Sequence, residues 1–191
     1  YEEKTISRLI ELSQTRQVIV FTHRISLLTQ ISQSSGDNVK IVGIRKESWG
    51  TGEIGDTPLN AKNPKKALNT LKNEKLSKAK KILEEDGSEA YYPYAKMLCS
   101  DFRILIERIV ESNLLADVVQ RYRRAINTMG KIDKLAKITK SDCDIIDEFM
   151  TKYSCYEHSQ PQEAPVEVPA PEEIAQDIDK ILSWLNEFEK R

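Results

Sequence analysis

The stretch Asp101-Phe-Arg-Ile-Leu-Ile-Glu-Arg-Ile-Val-Glu-Ser-Asn-Leu-Leu-Ala-Asp-Val-Val-Gln-Arg-Tyr-Arg-Arg-Ala-Ile-Asn-Thr128 decides the fold class. Its apolar residues fall at Leu105, Ile109, Leu114, Val118, Tyr122 and Ile126, a helical recurrence with no Gly or Pro to interrupt it. The pattern predicts one long helix with a single buried stripe. Arg103 and Glu107 lie four residues apart on that helix, so their side chains share a face.

Downstream, Met129-Gly130 ends the predicted helix. Ser141-Asp-Cys-Asp144 has the form of a capping box, and Ile145, Ile146, Phe149 and Met150 continue as a helix leading to Tyr153-Ser-Cys-Tyr-Glu-His158. Residues 160–171 hold four of the seven prolines, the composition of an extended linker. Pro171 suits the first position of a last helix. Ile174, Ile178, Ile181, Leu182, Leu185 and Phe188 draw one apolar stripe along that helix, with an acidic opposite face. A helix so patterned must dock, on this chain or on a partner.

Upstream, residues 63–85 repeat the helical spacing through Leu68, Leu71, Ala79, Ile82 and Leu83. Between Lys62 and Lys81, eight lysines (Lys62, Lys65, Lys66, Lys72, Lys75, Lys78, Lys80 and Lys81) stand against one acid, Glu74. Nearer the start, Ile6, Leu9 and Ile10 mark a short helix. The run Gln17-Val-Ile-Val-Phe-Thr-His23 reads as a strand buried on both faces, as in a parallel sheet. Ile25 to Ile31 return to helical spacing, so His23 is expected just past the carboxyl end of a strand, where open α/β sheets bind ligands. Val39-Lys-Ile-Val-Gly-Ile44 is a second expected strand, and Trp49-Gly-Thr-Gly52 a turn after it.

The expected fold class is therefore an α/β amino-terminal edge over residues 1–55, followed by a mainly α-helical domain over 56–160. A proline-rich linker, 161–171, and an amphipathic docking helix, 172–191, complete the chain. With 191 residues, 39% hydrophobic and 31% charged, the chain can bury one good core. A net charge of −1 provides no overall attraction to nucleic acid or membrane, so such binding would need local patches. Cys99, Cys143 and Cys155 are odd in number and form no C-x-x-C pair, which points to reduced thiols in the cytoplasm. No apolar run approaches the ~20 residues of a membrane span. The chain opens on Tyr1-Glu-Glu-Lys with no methionine, as a piece of something longer would.

Val18-Ile-Val-Phe-Thr-His23 and the helix after it resemble the switch-histidine segment of ABC-type and SMC-like ATPases. Arg103-x-x-x-Glu107-Arg-x-Val-Glu-x-x-Leu-Leu-x-x-Val-Val-x-Arg121, followed by Ser154 and His158, resembles the carboxyl-terminal part of bacterial ATPases linked to restriction and phage defence. Anticodon-nuclease ATPases are among these. The resemblance implies that residues 1–55 complete an ABC-type nucleotide-binding domain and that His23 reaches the γ-phosphate of ATP. It also implies a metal-independent ribonuclease site of Arg103, Glu107 and His158. ATP, magnesium and the remainder of the ATPase chain belong to the full-length protein. This chain carries no G-x-x-x-x-G-K-[ST] loop and no apolar strand ending in an Asp-Glu pair, so it is no ATPase alone. Arg24 stands where that family commonly has an acid.

The residue types fit RNA cleavage. A histidine with an ordinary pKa near ~6.5 can donate or accept the proton. Glu107 suits a complementary base or a group that orients the histidine, and the Arg103 guanidinium a fork on the phosphate. The same pair is also what an ordinary solvated helix carries. Lys65, Lys66, Lys72, Arg121 and Arg124 are the candidate contacts to tRNA or other nucleic acid, although few aromatics are interleaved with them for base stacking. The alternative function is a catalytically silent helical domain for homodimerisation or for binding a partner or nucleic acid.

Overall fold

A computed structural model of the chain describes residues 2–121, 126–156 and 167–191. The chain divides into two compact units, Tyr1–Lys62 and Asn63–Arg191.

In the first unit, α1 (Glu2–Ser13) packs on α2 (Ile25–Ser35), and β1 (Gly43–Glu47) pairs antiparallel with β2 (Gly50–Gly55). Glu47 faces Gly50 across a turn of Ser48 and Trp49. Gly52 is the extra residue of a bulge between the pairs Lys46–Thr51 and Arg45–Glu53, and its φ of +85° is one that glycine adopts at little cost. The expected strand at residues 17–22 has no ladder, and Ile19 and Phe21 are 69% and 82% exposed. The sheet of the described residues is the β1–β2 hairpin, not a parallel sheet. A strand apolar on both faces needs a neighbour on each edge and cover on each side, and the described residues of this unit supply neither. Ile6 is its one buried hydrophobic side chain among the described residues.

The second unit is helical. It begins with α3 (Pro64–Thr70), where the Asn63 side chain accepts from the Lys65 amide at 3.0 Å and Pro64 takes the first turn. A π-helical turn, Leu71–Leu76, leads into α4 (Ser77–Ile109). The turn has a reason in the sequence. Leu71 and Leu76 are five residues apart, one more than an α-helical face allows, and a wider i→i+5 turn brings both into the core. The same step recurs between Ile109 and Leu114, and there a second π-turn, Val110–Leu114, buries both. Gly87 interrupts α4 with φ +82° and ψ −176°, a conformation reserved to glycine.

The predicted helix over 101–128 therefore stops at Leu114. Ser112 donates its hydroxyl back to the Arg108 carbonyl at 2.8 Å. Ala116 and Asp117 turn left-handed, at φ 48° and 56°, and reverse the chain. Val118 is still buried, but through a loop, while Ile126 is 67% exposed. After the short α5 (Ile132–Leu135), α6 runs Lys140–Lys152. Its capping box is Thr139 with Asp142, two residues before the Ser141 cap expected: the Thr139 amide donates to the Asp142 carboxylate at 2.8 Å.

The last helix, α7 (Pro171–Lys190), begins at Pro171 as the pattern requires. Ile174, Ile178, Ile181, Leu185 and Phe188 are all essentially inaccessible, and α7 docks within its own unit on α3, the first π-turn and α4. Each such side chain contributes about 1.5–3 kcal/mol on burial. The acidic side of α7 meets the lysine run: Lys65–Glu189 at 2.5 Å, Lys72–Asp179 at 2.6 Å and Lys80–Glu172 at 2.9 Å. That order makes α7 antiparallel to the α3–α4 segment. Helix α6 also packs on α4, and just past its end the Tyr153 ring meets Phe102 edge-on at 4.8 Å.

Candidate functional site

Arg103 reaches from α4 to the carboxyl end of α6, and Glu107 lies one turn further along the same face of α4. The Arg103 Nε donates to Glu107 Oε1 at 3.0 Å, and its Nη1 donates to the Met150 carbonyl. A helix end leaves its last carbonyls without intrahelical donors, and a guanidinium satisfies one of them here. The second Glu107 oxygen accepts from Arg121 Nη1, and Arg121 Nε donates to Glu111. Four side chains thus form one chain of charge: Arg103, Glu107, Arg121, Glu111.

Their exposures divide them. The side chains of Arg103, Glu107 and Glu111 are 16%, 22% and 20% exposed, whereas that of Arg121 is 62% exposed. Burial by itself would raise the Glu107 carboxyl. The hydrogen bonds from Arg103 and Arg121, with their charges, outweigh it and hold the carboxyl below its ordinary value. Burial likewise works against the Arg121 charge, and Glu111 and then Glu107 more than restore it, holding the guanidinium above its usual value.

His158 and Arg124 lie outside the described residues. The chain enters the segment containing His158 from Tyr156, whose ring is 6.1 Å from Tyr153, and leaves it at Glu167, whose carbonyl accepts from the Tyr156 hydroxyl at 3.1 Å. His23 is exposed, just ahead of α2. Lys65 and Lys72 are taken by Glu189 and Asp179, and Lys66 is exposed. The sequence reading missed Glu111 as a member of the cluster. The signal was present, because Glu111 follows Glu107 by one helical turn on the same face of the chain.

Two further networks are buried. Asp177 on α7 accepts from Tyr153 Oη at 2.7 Å and Lys152 Nζ at 2.6 Å, tying α7 to the end of α6. Asp142 accepts from Trp184 Nε1 at 2.8 Å and from a two-pronged Arg191, at 2.9 and 2.5 Å. Arg191, and then Thr139 and Trp184, hold the Asp142 carboxyl far below its ordinary value against the opposing effect of burial. The cysteines form no disulfide, and burial pushes the Cys99 thiol up to about 12, which makes it a poor nucleophile. Among the described residues no helix is long and apolar enough to cross a membrane, and no group of His, Cys, Asp or Glu is arranged to hold a metal ion. Compared with known protein families, curated proteins and solved structures, the chain matches none.

Proposed function

We propose that this chain is the carboxyl-terminal segment of a bacterial defence ATPase, and that its helical unit carries a metal-independent ribonuclease site of Arg103, Glu107 and His158. The observation that carries the reading is the fastening of the Arg103–Glu107 pair to the Met150 carbonyl, at the end of α6 from which the chain runs on toward His158. In the reaction the 2′-oxygen bonds to phosphorus as the P–O5′ bond breaks, giving a 2′,3′-cyclic phosphate and a 5′-hydroxyl. One group takes the 2′-hydroxyl proton and another delivers a proton to O5′. His158 and Glu107 share those tasks, and a guanidinium offsets the charge that grows on the phosphate oxygens.

The exposed Ile19, Phe21, Ile44 and Ile54, beside Ile6 as the one buried hydrophobic side chain among the described residues of the first unit, support its packing against a larger body such as a nucleotide-binding domain. ATP and magnesium would be held by that body, with His23 as γ-phosphate sensor, because this chain has no phosphate-binding loop of its own. The test is cleavage of total tRNA by the intact protein with ATP, parent against His158→Ala. Loss of cleavage with ATP turnover retained is expected. Equal cleavage by both refutes the site. The second reading, a silent helical module for dimerisation or partner binding, is favoured by the Arg103 Nε and Nη1 and both Glu107 oxygens being already engaged within the fold. On that reading neither protein cleaves RNA.

A further inference from the structure

Two guanidiniums touch Glu107, and their surroundings give them different work. Arg103 is mostly covered, and its donors run to a carboxylate on its own helix and a carbonyl at the end of α6. Pulling it away would leave a helix-terminal carbonyl and a partly buried carboxylate short of a donor. Arg121 lies on the far side of the same carboxylate, in the loop after the α4 helix, with most of its side chain in water. Its partners are two carboxylates one turn apart, Glu107 on α4 and Glu111 in the π-turn that follows it.

An exposed guanidinium held across two carboxylates is a fork that an incoming phosphodiester can take over, since the geometry suited to a carboxylate also suits a phosphate. We propose that Arg121, not Arg103, is the guanidinium that meets the scissile phosphate, that Arg103 is a positioning residue for Glu107, and that Glu111 holds Arg121 back until RNA arrives. This rests on the ribonuclease reading and alters its division of labour. When Arg121 transfers to the phosphate, Glu107 loses one of the two donors that keep it a weak base. Burial then acts on it with less opposition, so its proton affinity rises where a proton acceptor is needed.

The proposal separates two substitutions that a purely structural tie would not. Arg121→Ala should reduce cleavage of total tRNA by the intact protein roughly 100-fold or more, the scale seen when a transition-state donor is removed. It should also lower the salt dependence of RNA binding by about one phosphate contact. Glu111→Gln should act in the opposite direction, lowering KM for RNA several-fold by releasing Arg121. If Arg121 is only a tie between two acids, both substitutions weaken the same contact and change activity and Tm in the same direction, and the proposal falls. His158→Ala serves as the separate control. An inactive His158→Ala beside a fully active Arg121→Ala retains the site and discards Arg121, whereas a fully active His158→Ala discards both. Should the parent leave tRNA intact, binding of a mixed-sequence oligoribonucleotide followed by anisotropy decides: a weaker Arg121→Ala and a tighter Glu111→Gln support the assignment, and equal binding overturns it.

Discussion

Replacing Ile181 with alanine tests whether α7 is part of the core or an appendage. Ile181 is fully buried in the apolar stripe of that helix. Truncation removes three carbons from full burial, about 2.4 kcal/mol at ~0.8 kcal/mol per methylene. The cavity left behind adds to this, and buried Ile→Ala changes span about 2–5 kcal/mol, so about 3 kcal/mol is the working value. Spread over the Asn63–Arg191 unit, about 130 residues, an unfolding entropy of roughly 2.1 cal/mol/K per residue turns that into a Tm drop of about 10 °C. The assay is thermal melting followed by far-UV circular dichroism, with tryptophan emission read in parallel. Trp184 sits on α7 and is 8% exposed, whereas Trp49 is 77% exposed, so a red shift during the transition reports α7 leaving its seat. Ser183→Ala, on the exposed side of α7, is the matched control and should stay within about 0.5 kcal/mol of the parent. A Tm drop under 3 °C for Ile181→Ala, or a melt in which Trp184 is exposed well before helicity is lost, would refute the claim that this stripe is core.

Three further outcomes follow from the same packing. Tyr153→Phe removes the hydroxyl that donates to buried Asp177 at 2.7 Å and should cost about 1.5–3 kcal/mol by urea denaturation, with no change if that bond is unimportant. Gly87→Ala should destabilise by about 1–3 kcal/mol through backbone strain alone, since φ +82° with ψ −176° excludes a side chain and nothing lies within 4 Å for a Cβ to strike; an unchanged Tm would mean the helix straightens there. Asp142→Asn should lower Tm at pH 7, and the gap to the parent should close on acidification. The folded carboxyl is depressed far below its unfolded value of ~3.9, so its contribution is complete above about pH 5 and is lost progressively as pH falls toward the folded value; a gap that does not narrow between about pH 5 and about pH 2 contradicts this.

What could be read from the sequence was what local spacing determines. The α7 stripe, Pro171 at its start and the helical run from 63 onward all stand as expected, because a 3.6-residue period is written into consecutive residues. The stretch 101–128 was legible only in part. Its stripe contains a five-residue step, Ile109 to Leu114, which an α-helix cannot carry on one face; the fold absorbs it in a π-turn, and the chain then reverses at Ala116 and Asp117. The run 17–22 has the composition of an interior strand, but a strand exists only in a ladder, and the partners for one are not among the described residues of its unit.

Charge was harder to read than periodicity, and for a physical reason. The lysines between 62 and 81 look like a phosphate-binding strip when taken alone, and the acids of 172–189 look like a solvated face. Lys72 and Asp179, separated by 107 positions, meet at 2.6 Å, and Lys65 with Glu189 and Lys80 with Glu172 repeat the pairing along the antiparallel helices. Each exposed pair is worth only about 0–1 kcal/mol, far less than one buried isoleucine of the stripe, so the apolar seam sets the docking and the charges fix its register and direction. A like-charged strip cannot be assigned to an outside partner before the fold has shown which acids it already faces. Arg103 and Arg121 differ in the same way. Both contact Glu107, and burial, which no local pattern specifies, leaves one committed to the end of α6 and the other facing water.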